Sequence, residues 1–186
     1  AARPEFQELR EHCTTLAIWD DHDYGANDSG SEYPGRKASR EVFLDFWREP
    51  ADSPRREHPG IYHAERFEEG GRTLQVLLLD TRSFRDPLVA NGEVPDPPFK
   101  NQYRPNPDRS ADLLGGEQWR WLEAQLREPA DLRIIATSIQ FGHSYNGWES
   151  WTLIPAERRR MVQLIRDTAA SGVMFISGDV HWGEIN

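Results

Sequence analysis

The sequence predicts an α/β layered domain, and three observations carry that expectation. Short β-branched and apolar runs, such as "TTLAIW" (14–19) and "VMFIS" (173–177), alternate with amphipathic helical segments. The run "VLLL" within 72–80 is apolar at every position, as in a strand covered on both faces. Polar and charged clusters ("DDHD", "SIQFGH" and "GDVH") directly follow apolar runs, where layered α/β domains gather their ligands. All of residues 1–186 are expected to belong to one domain, and that length suffices for a hydrophobic core.

Each element has a local reason. "PEFQELREH" (4–12) reads as a helix with proline in its first turn. Residues 14–19 read as a strand. The Gly, Asn, Asp, Ser and Pro of 20–35 make a long loop. Residues 36–48 form a helix with Val42, Phe43, Phe46 and Trp47 on one side. "GIYHAERF" (60–67), the turn "EEGG" and "RTLQVLLLD" (72–80) make a β-hairpin. Residues 81–115 hold six of the 13 prolines and no periodicity, the mark of a long loop. A helix over 116–128, a strand over 132–138 and an aromatic loop over 139–153 follow. The helix over 155–171 has Pro155 near its start and Gly172 past its end, and 173–177 is the last strand.

Composition narrows the function. Thirty-one acids (31) against 22 bases leave a net charge of −9, which argues against a nucleic-acid-binding surface. A phosphate substrate stays open, because a bound metal reverses the local field. The single cysteine, Cys13, precludes an intrachain disulfide. No apolar run approaches the roughly 20 residues of a membrane span.

The acidic clusters suggest a cation. Packed carboxylates repel, and one must hold its proton unless a cation sits between them. Carboxylate plus imidazole suits a hard or borderline divalent ion. In "GDVH", Asp179 and His181 are two apart and face one side if the strand's alternation continues through them. A solvated, helix-capping turn is the competing reading of "DDHD". A calcium loop starting at Asp21 is rejected: Ala26 holds the position that requires glycine, and the preceding segment reads as a strand. Asp20 is expected to cap a helix, Arg82 and Arg85 to form structural salt bridges, and His12, His58 and His63 to lie at the surface. Trp148 and Trp151 are expected to pack, although they are also candidates for a wall of the cleft.

"AIWDDHDYGANDSG", "VLLLDTRSFRDP" and "FISGDVHWGEI", in this order, resemble the alkaline phosphatase D (PhoD-like) members of the calcineurin-like metallophosphoesterase superfamily. The resemblance implies a β-sandwich flanked by helices with metals at the strand ends. It implies hydrolysis of small-molecule phosphodiesters and phosphomonoesters by a metal-activated water, with calcium and iron as cofactors. By the same resemblance Asp21 is a metal ligand and His22 the acid or phosphate stabiliser. Asp23 orients that histidine, and Asp179 and His181 are metal ligands.

The resemblance departs from the superfamily where an intervening strand should end in a ligand histidine. Here that strand ends in "TSIQF", so Gln140 or His143 is a candidate at the substrate. Trp182, directly after His181, is a candidate wall of the substrate site. The family's earlier motifs, which supply a bridging aspartate, have no counterpart before "IWDDHD". The chain is therefore expected to be the carboxyl-side portion of a catalytic domain, incomplete at its N-terminal side and inactive alone. The resemblance also suggests a secreted or periplasmic protein. A non-catalytic, metal-stabilised module and a hydrolase of sulfate or carboxylic esters are the alternatives.

Overall fold

The computed structural model describes residues 3–92, 101–144, 147–181 and 183–185. In chain order the elements are α1 (Pro4–His12), α2 (Asp21–Tyr24), α3 (Arg36–Phe46), β1 (His63–Glu69), β2 (Arg72–Leu78), β3 (Val89–Ala90), β4 (Tyr103–Arg104), α4 (Gly115–Arg127), β5 (Leu132–Thr137), α5 (Pro155–Asp167) and β6 (Val173–Ser177). Short 3₁₀ turns occupy Pro54–Arg56 and Trp151–Leu153.

Four strands make the central sheet in the order β1-β2-β5-β6. The β1–β2 pair is an antiparallel hairpin with His63 opposite Leu78. Its turn is Gly70–Gly71, both at positive φ (57° and 74°), the backbone shape that suits the twist of a two-residue hairpin. The β2–β5 and β5–β6 pairs are parallel, and the crossovers run through α4 and α5. The carboxyl ends of β2, β5 and β6 therefore lie side by side. Two contacts show it: Thr81 Oγ1 meets Ser138 Oγ at 2.5 Å, and Gly178 N donates to Ser138 O at 3.1 Å. The expected mixed α/β fold, a sheet flanked by helices, is what the chain adopts.

Period-2 alternation divides the sheet into two faces. Leu77, Ile135 and Phe175 pack with Trp119, Leu122 and Met161 of α4 and α5 in the main core. On the other face, Val76, Leu78 and Ala136 meet Leu16 and Ile18. Residues 14–19 are extended there but join no strand ladder, so the strand expected at that place is not formed. Its apolar side chains are held by packing rather than by pairing. Beyond them, Met174 and Ile176 of β6 are 47% and 48% exposed, and Ile176 lines an apolar trough of about 390 Å³ together with Leu16 and Ile18. The second face of the sheet is thus covered over β2 and β5 and open at β6.

The α3 helix differs from expectation in its buried side. Phe43 and Leu44 are buried, whereas Val42 and Phe46 are 68% and 53% exposed. Phe43 packs edge-on to Trp19 at 5.3 Å, while Phe46 turns toward Phe6 of α1 at 6.2 Å. Two helical faces are used, so the run of apolar residues is not one stripe. The long segment 81–115 contains the small β3–β4 ribbon, with Val89 opposite Arg104.

Candidate metal centre

The site begins with Trp19 and Asp80, the last apolar residue before "DDHD" and the polar end of "VLLLD". Trp19 Nε1 donates to the buried Asp80 Oδ1 at 3.0 Å. Asp80 also accepts from Ile61 N, Arg82 N, Ser83 N and Ser83 Oγ at 2.7–3.0 Å. This buried acceptor hub joins the extended segment to the carboxyl end of β2 and fixes where residues 20–28 emerge. There the chain makes the single turn α2, with Asp20 at its N-cap and Asp23 Oδ2 accepting from Asp20 N at 3.4 Å.

Acids from the two ends of the chain converge here. One carboxylate oxygen each of Asp20, Asp21 and Asp179 lies within 4.8 Å of the others, and Asp21, Asp28 and Glu149 make a second such group. Asp21 belongs to both. Its Oδ1 accepts from His22 N at 2.8 Å and its Oδ2 from Asp28 N at 3.1 Å. Burial alone raises its pKa, but these amides and the Arg82 charge outweigh burial and hold the carboxyl below its usual range. Among the described residues no backbone amide donates to Asp179, whose carboxyl instead hydrogen-bonds Asp20. Burial first, and then the nearby Asp20 and Glu149 carboxylates, push its pKa up to about 7.

Asp179 reaches the cleft from a turn. Strand β6 ends at Ser177, and Asp179 has φ of 70°, a left-handed conformation that aspartate tolerates. The alternation anticipated through Asp179 and His181 therefore does not continue, although both residues line the same cleft. That cleft, of about 560 Å³, is also lined by Asp21, His22, Asp23, Gln102 and Trp148. The His22 side chain is exposed, with Nε2 at 3.8 Å from Asp21 Oδ2. Neither His22 nor His181 is a member of the two carboxylate groups.

Two arginines back the acids, as structural ion pairs. Arg82 is fully buried and bonds both Asp20 and Glu149; Arg85, also fully buried, pairs with Glu149 at 2.9 Å. Burial raises the Glu149 pKa while the two guanidiniums oppose it. Five carboxylates (Asp20, Asp21, Asp28, Glu149 and Asp179) thus face two guanidiniums. The cluster keeps surplus negative charge and offers hard oxygen donors, with imidazole at the rim. This donor set fits a hard or borderline divalent cation.

The other predicted residues are placed in several ways. Asp23 is engaged with the Asp20 amide rather than with the imidazole of His22. Gln140 pairs with Ser150 through a β-bridge, is buried, and does not line the cleft. His143 is buried beside Glu184, with Nδ1 to Oε2 at 3.0 Å. Trp182 lies outside the described residues. Trp151 packs in the core and donates from Nε1 to Thr137 Oγ1 at 2.9 Å, as expected. Trp148 is instead 39% exposed on the cleft. Sequence reasoning also missed Asp28, Glu149 and Gln102 at the cleft. Glu149 carried one usable signal, an acid set between two tryptophans in "WESW".

The comparisons with known proteins bear on the family and the fold. Alkaline phosphatase D of Bacillus subtilis (strain 168) is 30% identical over 186 residues, covering 89% of this chain and 30% of the relative. A solved structure described as "Structure of PhoD" superposes with a TM-score of 0.64 at 23% identity, covering 88% of this chain and 34% of that one. The chain thus spans about a third of the length of the relatives it matches. The sequence model of the PhoD-like phosphatase family matches residues 1–186, and the chain belongs to that family.

Proposed function

We propose that this chain forms one side of the active cleft of a metal-dependent phosphoester hydrolase acting on small phosphodiesters and phosphomonoesters. The observation that carries this reading is the convergence of Asp20 and Asp21 with Asp179, at the carboxyl ends of the parallel strands. Family membership supports phosphoester hydrolysis in general.

Asp21 and Asp179 would hold the cation, with the His181 imidazole as a further donor. When bound, a divalent ion supplies Lewis-acid polarisation of the phosphoryl group and lowers the pKa of water toward neutrality. Calcium is our choice of ion here, with iron at a neighbouring site completed by residues outside this chain. The Asp21 amide bonds from His22 and Asp28 keep its carboxylate ionised and aimed. His22, exposed at the rim, donates its proton to the leaving oxygen. Asp23 serves His22 indirectly, by closing the turn of α2 that carries it. Trp148 and Gln102, which line the same cleft, receive the organic group of the ester.

The remaining ligands are assigned to an upstream part of the same domain. The open apolar face of the sheet, with Met174 and Ile176 uncovered, supports a further layer there.

The test is hydrolysis of bis-(p-nitrophenyl) phosphate and p-nitrophenyl phosphate by the full-length polypeptide. It is stripped with chelator and reloaded with calcium, iron or manganese. Hydrolysis should follow metal reloading, vanish in Asp179→Asn and be absent from the 186-residue chain alone. Metal binding without hydrolysis of either ester would favour a non-catalytic module and overturn the proposal.

A further inference from the structure

We infer that Arg82 is a positioning residue of the acidic cleft: it takes Asp20 and Glu149 out of competition for a cation and leaves Asp21 and Asp179 to hold it. The inference rests on the metal-centre reading above and specifies which acids of that centre act as ligands.

Spacing alone cannot choose among the acids, since two carboxylate groups overlap at Asp21. Hydrogen bonding can, and it first engages Asp28, whose Oδ2 accepts from Tyr103 Oη at 2.7 Å. Each group contains one acid that Arg82 already holds. Arg82 Nε donates to Asp20 Oδ1 at 3.0 Å, and Nη2 donates to the same oxygen. Arg82 Nη1 and Nη2 donate to Glu149 Oε1 and Oε2 at 2.7 and 2.6 Å, a two-pronged pair. Nη1 also reaches Ser29 O at 3.4 Å. Every one of the five guanidinium N–H groups therefore has an acceptor.

This guanidinium is fully buried, so its charge is poorly screened, and pulling either carboxylate away would leave some of its buried N–H groups without an acceptor, at high cost. Its own place is set from below, where Arg82 N donates to Asp80 Oδ1 at 3.0 Å. Asp21, by contrast, takes among the described residues a single backbone amide on each oxygen, which leaves lone pairs for a cation. A lysine cannot reproduce the role, because one ammonium cannot span two carboxylates as a planar fork does.

The experiment measures Mn²⁺ affinity of the chelator-stripped full-length polypeptide by electron paramagnetic resonance, with melting temperature followed in parallel. Asp21→Asn and Asp179→Asn should weaken Mn²⁺ by about 100-fold or more, whereas Asp20→Asn should lose less than about tenfold, the lower end for supporting positions. Arg82→Lys frees the Asp20 carboxylate and should tighten Mn²⁺ several-fold. The double variant Arg82→Lys/Asp20→Asn should lose that gain. A loss above tenfold in Asp20→Asn, or an Arg82→Lys affinity that is unchanged or weaker, overturns the inference. If Asp21→Asn and Asp179→Asn both bind Mn²⁺ as the parent does, the metal-centre reading itself fails, a result distinct from either of those.

Discussion

Trp19 Nε1 donates to Asp80 Oδ1 at 3.0 Å, and both residues are buried. One hydrogen bond thus joins the segment that leads into "DDHD" to the strand end that delivers Arg82. Asp80 satisfies several other buried donors, including Ile61 N and Ser83 N. Removing it strands them together, at about 1–3 kcal/mol for each buried group left unpaired, not additively. Asp80→Ala should therefore lower unfolding free energy by at least about 3 kcal/mol, measured by urea denaturation of metal-free protein. A loss below about 1 kcal/mol would contradict the hub.

The Asp179 carboxyl gives a pH signature. Its folded pKa, about 7, lies above its ordinary 3.8. Between those values the folded state binds more protons than the unfolded state, so the stability this group contributes declines as pH rises through the window. Metal-free protein should thus lose stability from this group between about pH 4 and pH 7. A divalent cation replaces the proton, so the stabilisation on adding Ca²⁺ should be larger near pH 8 than near pH 5. Thermal melts at both pH values check this, and Asp179→Asn should remove most of the difference. Equal Ca²⁺ stabilisation at the two pH values would be the contrary result.

His22 stands at the rim with its side chain open to solvent. If it delivers the leaving-group proton, His22→Ala should reduce kcat by about 100- to 10,000-fold. Mn²⁺ content should stay at the parent level, because the imidazole is outside both carboxylate groups. Turnover of a chromogenic phosphodiester, read beside metal analysis, separates the two effects. Near-parental turnover would remove His22 from the chemistry.

Trp148 offers a half-exposed ring to the same cleft. Trp148→Ala should raise KM for an aryl phosphodiester about tenfold, a loss near 1.4 kcal/mol, and Trp148→Phe should raise it less. Inhibition by inorganic phosphate, which has no organic group to touch the ring, should be unchanged. Equal weakening of phosphate and diester would place the ring's effect on the cation site instead.

Much of this protein was legible before folding, for identifiable reasons. Helices α1, α4 and α5, the β1–β2 hairpin and β6 follow from periodicity, proline placement and paired glycines, all of which act within a few residues. Segment 14–19 was misjudged because β-branched composition reports extended backbone but not whether a partner strand is beside it. Helix α3 was misjudged because a run of apolar residues does not say which of two faces meets Trp19 and which meets Phe6.

The site divides in the same way. That the "DDHD" and "GDVH" clusters could share a site was readable from charge crowded at the ends of apolar runs, an arrangement with an electrostatic cost that only a proton or a cation relieves; the choice of Asp21 and Asp179 within them came from the family resemblance. Folding alone decided that Asp20 is held by Arg82, that Asp28 and Glu149 join the cleft, that Trp148 faces it, and that Gln140 and His143 do not. The placement of Asp20 and Glu149 depends on contacts between residues more than 50 positions apart, those of Arg82 with each of them. Local sequence encodes backbone preference and charge. Only packing brings distant groups within hydrogen-bonding reach and settles which of several carboxylates is left free.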